Sequence, residues 1–177
     1  MRAARRFTSP ALHANAFHFG GDMIASVDFQ SVTWNEIPYR FEAGTPPITE
    51  AVGLGAAVEY LRGLGMERVR EHERALTAYM LDSLARVPGL HVVGPPEPDS
   101  RGALASFTMD GIHPHDIAEI VAREGVCIRA GHHCAQPLMR CLGVSATARA
   151  SVGVYNDQAD VDALIDALIA GREVFGL

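Results

Sequence analysis

From residue 66 onward the apolar residues switch repeatedly between helical and strand spacing, and that alternation confines the chain to an α/β fold. Val69, Leu76, Met80, Leu84 and Val87 recur at helical spacing across residues 66–87, with Glu67, Arg70, Glu71 and Arg74 on the opposite face. Pro88-Gly89 ends that helix. Leu90 to Val93 and Ala103 to Met109 read as strands around the proline-rich loop at 94–98. Asp116 to Glu124 reads as a helix with Ile117, Ile120 and Val121 on one side, closed by Gly125. Val126 to Arg129 reads as a strand entering a loop. From Ala148 to Tyr155 the residues alternate: Ala148, Ala150, Val152 and Val154 face one way, and Arg149, Ser151, Gly153 and Tyr155 the other. A last helix opens at Asn156 or Asp157, with Asp160 placed for a capping pair and Val161, Leu164, Ile165, Leu168 and Ile169 as its buried stripe. The order α-β-β-α-β-β-α predicts one small α/β domain over residues 66–177, with helices on a mixed sheet.

Residues 1–65 follow another pattern. Residues 22–34 predict strand with a turn near Gln30–Ser31, and the glycine and prolines of Arg40-Phe41-Glu42-Ala43-Gly44-Thr45-Pro46-Pro47 stop any regular element. A helix of small residues is expected from about Thr49 to Leu64, where Gly53, Gly55, Ala56 and Ala57 suit close packing against something large. The segment reads as the end of a larger domain rather than a domain in itself. Met1 to Ala16 carries Arg2, Arg5 and Arg6, with no acidic residue before Asp22. We read it as ordinary residues at a cut end rather than a targeting peptide.

A net charge of −6 gives no electrostatic case for nucleic acid or an anionic membrane. No apolar run approaches the roughly 18 residues of a membrane span. A soluble, cytoplasmic protein is expected. The three cysteines, Cys127, Cys134 and Cys141, are odd in number and argue against a disulfide framework. All 15 basic residues are arginine, so these 177 residues hold no side-chain amine able to form a Schiff base.

The loop Arg129-Ala130-Gly131-His132-His133-Cys134-Ala135-Gln136-Pro137 concentrates reactive residue types. A thiol acts as a nucleophile in its thiolate form, which neighbouring cationic and histidine groups favour. An inert cysteine beside histidines that cap a strand is equally compatible with the local residues. A metal site is not expected: adjacent His132, His133 and Cys134 side chains do not converge readily on one tetrahedral ion, and no standard ligand spacing appears. Arg149 stands on a strand whose other face is apolar, where a planar guanidinium suits bidentate capture of a carboxylate, although most single arginines are surface residues. Gly44-Thr45-Pro46 offers a backbone amide and a hydroxyl to a phosphate ahead of a helix, a string that elsewhere is usually a plain turn.

Together these segments resemble the cysteine desulfurases of the aminotransferase class V fold, above all the group II, Suf-type branch. The matching stretches are GGDMI at 20–24, RFEAGTP at 40–46, RAGHHCAQP at 129–137 and RASVGVYN at 149–156, in that order. The resemblance implies a fold-type I transferase dependent on pyridoxal phosphate, here the small C-terminal α/β domain (66–177) plus a remnant of the large cofactor-binding domain (1–65). It implies that Cys134 attacks the sulfur of the substrate, L-cysteine, and carries it as a persulfide toward a sulfur-acceptor protein for iron–sulfur cluster assembly. Arg149 is then the residue that binds the substrate carboxylate, and Gly44 with Thr45 the segment that reaches the cofactor phosphate across a homodimer. The family's lysine, its aspartate at the pyridine nitrogen and its histidine over the ring have no counterpart here. Covalent cofactor attachment is excluded for these residues, and little activity is expected without a complementing N-terminal chain. A persulfide carrier that needs no cofactor, and a non-catalytic binding partner of a desulfurase, remain as alternatives.

Overall fold

The computed structural model describes residues 18–177, so the basic segment Met1–Ala16 lies outside the described residues. The chain divides between Tyr60 and Leu61 into two compact units.

The first unit contains a hairpin, β1 (Ile24–Asp28) and β2 (Ser31–Trp34). Its turn falls at Phe29–Gln30, one residue before the expected place, with Asp28 opposite Ser31. The Asp28 carboxylate accepts from the Phe29 N–H at 2.7 Å, which helps the chain reverse. Trp34 stacks on Phe19 with ring centroids 5.6 Å apart, and Met23 is buried. A Cβ on Gly20 would stand 2.3 Å from the Gly44 nitrogen, so the 20–24 and 40–46 motifs meet backbone against backbone and only glycine fits at 20. Helix α1 (Ile48–Leu64) starts one residue earlier than expected and has no buried residue. A Cβ at Gly53 or Gly55 would meet nothing within 4 Å. The helix therefore presents Ile48, Val52, Leu54 and Tyr60 uncovered among the described residues.

The second unit is a four-stranded sheet in the order β3 (Leu90–Val93), β4 (Leu104–Met109), β6 (Thr147–Ser151), β5 (Arg129–Gly131). Three helices cover one face: α2 (Met66–Leu84), α3 (Pro114–Arg123) and α5 (Gln158–Val174). The core joins Leu76, Met80 and Leu84 of α2 to Ala105 and Phe107 of β4, Ala148 and Ala150 of β6, Ile117 and Val121 of α3, and Val161, Leu164 and Leu168 of α5. Each large side chain fully buried in this way contributes about 1.5–3 kcal/mol. Helix α5 opens on the expected capping box: the Asp157 carboxylate accepts from the Ala159 and Asp160 N–H groups, and Asp160 accepts from the Asp157 N–H.

The α/β class stands, but the sheet is antiparallel at all three pairings rather than mixed. A helix between two strands ordinarily signals parallel neighbours. The crossover exists here, from β4 through α3 to β5, but β6 fills the slot between those strands and pairs antiparallel with both. Several elements also differ in extent. Helix α3 starts at Pro114, because proline suits the first turn and His113 caps it. Strand β5 lies at 129–131 rather than 126–129, and β6 ends at Ser151, beyond which Tyr155 projects into solvent. No helix is expected from the sequence after the cysteine loop, yet α4 (Gln136–Leu142) forms there, opened by Pro137 in its first turn and closed by Gly143 at φ 71°.

Candidate active site

The alternation of β6 sends Ala148 and Ala150 into the core and leaves Arg149 on the opposite face of the sheet. Register carries this across the sheet: Ser106 of β4 and Arg129 of β5 both stand opposite Arg149. The expected Arg149 orientation therefore holds, and Arg129 joins it through a pairing that the sequence did not display.

After β5 the chain turns sharply. His133 and Cys134 both take positive φ, 53° and 59°, without being glycine. Each such residue costs roughly 1–2 kcal/mol, which the surroundings must offset. A turn bond from the Ala135 N–H to the His132 carbonyl, 2.8 Å, closes the loop, and α4 follows directly. Cys134 is exposed at the crest, and an Arg129 guanidinium nitrogen lies 3.8 Å from its sulfur. Cys127 and Cys141 are also free and exposed. Of the three, only Cys134 sits in a turn of two successive left-handed residues.

The His133 ring folds back onto β6. Its Nε2 lies 3.1 Å from the Thr147 carbonyl oxygen and 2.8 Å from the Thr147 hydroxyl. A carbonyl only accepts, so Nε2 carries the proton and donates. Burial, and then the positive charge of Arg149, hold the imidazole below its ordinary pKa and so favour the neutral ring. Nδ1 is then an acceptor; it is buried and has no partner, and the same is true of the Arg149 Nε–H donor.

Both residues line a cavity of about 500 Å³ together with Arg101, Ser106, Thr147 and Leu138. The wall formed by the β3–β4 loop is braced by arginines. Arg101 donates to the carbonyls of Val93, at 2.7 Å, and Pro95. Arg70 of α2 donates to the carbonyls of Arg101 and Asp99 at 3.2 and 3.3 Å, and Arg74 pairs with Asp99 at 3.0 Å. Sequence reasoning missed Thr147, Ser106 and this brace. The position of Thr147 two residues before Arg149 on one strand face was the available signal; the brace left none, because it depends on how the loop folds onto α2.

Of the expected site residues, Cys134 and Arg149 belong to the second unit and frame the same sheet edge through Arg129 and His133. Gly44 and Thr45 belong to the first. Gly44 takes φ 91°, a conformation glycine adopts without strain, and Thr45 is exposed just ahead of α1. Among the described residues no three His, Cys, Asp or Glu side chains are grouped so as to hold a metal ion, and no helix is long and apolar enough to cross a membrane.

Comparison with known proteins adds the following. The aminotransferase class-V family model matches residues 8–164. A probable cysteine desulfurase of Streptomyces coelicolor is 46% identical over 157 residues, which is 89% of this chain and 38% of the relative. The cysteine desulfurase of Haloferax volcanii is 49% identical over 157 residues, 89% of this chain and 37% of the relative. Among solved structures, the cysteine desulfurase CsdA of Escherichia coli, in its S-sulfonic acid form, superposes with a TM-score of 0.80 at 35% identity, covering 90% of this chain and 39% of that one. The chain thus spans under two fifths of the length of these relatives. A cystine C–S lyase in complex with cysteine persulfide shares the fold, with a TM-score of 0.66 at 22% identity. With a family model matched over most of its length and cysteine desulfurases as its relatives, the chain belongs to the aminotransferase class-V family.

Proposed function

We propose that this chain carries the substrate-anchoring and sulfur-accepting part of a pyridoxal-phosphate-dependent cysteine desulfurase of the Suf-type branch. The observation that supports this most is the cavity beside β6. There a buried Arg149 Nε–H and a buried His133 Nδ1 both lack partners, next to a turn that lifts Cys134 into solvent. A buried donor without a partner costs free energy unless a ligand meets it.

The residues described here fit one end of the cofactor and not the other. A Cβ on Gly44 would meet open space, so a phosphate can approach that side of the Gly44–Thr45 segment, while the Gly44 nitrogen is close to the Gly20 backbone. The aldehyde end needs an amine, and the chain has none on a side chain. When bound, pyridoxal phosphate supplies the electron sink that makes the substrate C–S bond breakable. The work of this chain's own residues is simpler. Arg149 takes the substrate carboxylate in a two-pronged bond and fixes its orientation. Cys134 as thiolate attacks the substrate sulfur; the S–S bond forms as the C–S bond breaks. The net reaction converts L-cysteine and the Cys134 thiol to alanine and a Cys134 persulfide. An exposed persulfide at the crest of a loop can then pass its outer sulfur to an acceptor protein. Three free cysteines suit a reducing, cytoplasmic setting. The small domain at 66–177 and the large-domain remnant at 1–65 are the parts of this reading, and the uncovered apolar face of α1 is where a homodimer partner or a complementing N-terminal chain would seat.

Sulfide release from L-cysteine tests the reading, with pyridoxal phosphate, a reductant and a Cys134→Ser control. The isolated chain is expected to match the control. Addition of the lysine-bearing N-terminal portion of a cysteine desulfurase is expected to produce release that depends on Cys134. Release that survives Cys134→Ser would contradict the assignment. Cys134-dependent turnover by the isolated chain would overturn the reading of the absent amine. The exposure of Cys134 also suits a carrier that takes sulfur from a donor without the cofactor; loading of Cys134 with no complementing chain present would favour it.

A further inference from the structure

We propose that His133 is the positioning residue of the cysteine loop: its ring, anchored on Thr147, holds the left-handed turn that aims Cys134 at Arg129. The proposal rests on the desulfurase reading for its purpose, and on geometry for its content. Two consecutive non-glycine residues at positive φ do not persist unless something holds them. At 133 the holding contact is visible. Nε2–H is shared between the carbonyl and hydroxyl oxygens of Thr147, a fully buried residue at the start of β6. The anchor is thus rigid, and it is part of the strand that carries Arg149. A peptide bond away, Cys134 inherits its direction from the same turn, which puts its sulfur 3.8 Å from the Arg129 guanidinium.

The arrangement also fixes a chemical asymmetry. With Nε2 committed to Thr147, the other ring nitrogen has no partner and stays buried at the cavity that Arg149 also lines. His132, by contrast, is exposed, and its ring has no anchoring hydrogen bond among the described residues. The two adjacent histidines therefore have different tasks: 133 supports the loop from beneath, and 132 stands outside it.

The consequence is readable without any cofactor. Iodoacetamide labelling of the full chain, quantified by peptide mass spectrometry, gives separate rates for Cys134, Cys127 and Cys141, the last two being exposed internal controls. In His133→Ala the loosened turn lets the sulfur leave Arg129, and labelling of Cys134 is expected to slow about tenfold while the control rates stay put. His133→Gln, whose side-chain amide can donate to Thr147 as Nε2 does, is expected to restore most of the rate. Thr147→Val keeps the carbonyl but removes the hydroxyl and is expected to give an intermediate rate. It keeps the test open if His133→Ala does not fold. Equal Cys134 rates in wild type, His133→Gln and Thr147→Val, with His133→Ala also equal or unfolded, would overturn the proposal. So would a uniform change at all three cysteines. Because labelling needs no desulfurase activity, a failed sulfide-release assay beside a positive labelling series would sink the functional reading and leave the positioning role intact.

Discussion

Arg129 and Arg149 stand directly opposite each other on β5 and β6, and neither forms an ion pair among the described residues. Like charges in directly opposed positions weaken a sheet. A site built to receive an anion accounts for keeping them there. In Arg149→Met one charge of the opposed pair is gone. Urea denaturation is expected to give a stability within about 0.5 kcal/mol of wild type or slightly above it. In the complemented enzyme the same variant is expected to raise KM for L-cysteine by tenfold or more, roughly the loss of one charge-assisted bond to a carboxylate. A large loss of stability with KM unchanged would make Arg149 a structural residue.

His133 makes stability depend on pH. Burial, with the Arg149 charge second, places its folded pKa below the ordinary 6.5. Above that value both folded and unfolded chains hold a neutral ring, and the contribution is fully present. As pH falls from 6.5 toward the depressed folded value, the unfolded chain takes up the proton first, and stability is lost. The urea midpoint of wild type should therefore fall over that window more steeply than that of His133→Gln. Parallel curves for the two proteins would contradict the assignment of a neutral, partly buried imidazole.

Phe107 is fully buried at the centre of β4 and faces the three helices. Phe107→Ala is expected to destabilise the second unit by about 3–5 kcal/mol, from lost burial and the cavity left behind. A cost below 1 kcal/mol in chemical denaturation would mean that the core collapses around the gap or was never tightly packed.

Gly20→Ala tests the link between the first two motifs. Its Cβ would lie 2.3 Å from a backbone nitrogen, which no side-chain movement relieves. Overpacking of that kind typically costs about 1–3 kcal/mol. Faster hydrogen–deuterium exchange of the Ala43, Gly44 and Thr45 amides is the expected sign, and unchanged exchange there would refute the contact.

Much of the second unit was legible in the sequence because each of its elements buries one face. Val69, Leu76 and Met80 mark α2, the alanines of β6 mark the core side of the sheet, and Asp157 with Asp160 marks the start of α5. What was hidden depends on pairing between distant strands. No local pattern says that β6 slips between β4 and β5, so neither the antiparallel sheet nor the Arg129–Arg149 opposition could be read beforehand. The short α4 escaped because seven residues give too few turns for a stripe. The site was half visible: Cys134 and Arg149 stood out by residue type and position, while the role of Thr147 as anchor for His133 required a fold that brings residues 133 and 147 together. The apolar composition of α1 announced a packing partner that the described residues do not supply.

The central claim is that Cys134 receives the sulfur of L-cysteine. Its most direct test is to incubate the chain with L-cysteine, pyridoxal phosphate and a lysine-bearing complementing chain, alkylate, and map persulfide by mass spectrometry. The account predicts added sulfur on the Cys134 peptide, with Cys127 and Cys141 unmodified and, at L-cysteine well below KM, a signal about tenfold weaker in Arg149→Met. Sulfur spread evenly over the three cysteines, or absent from Cys134 while sulfide is released, would contradict it.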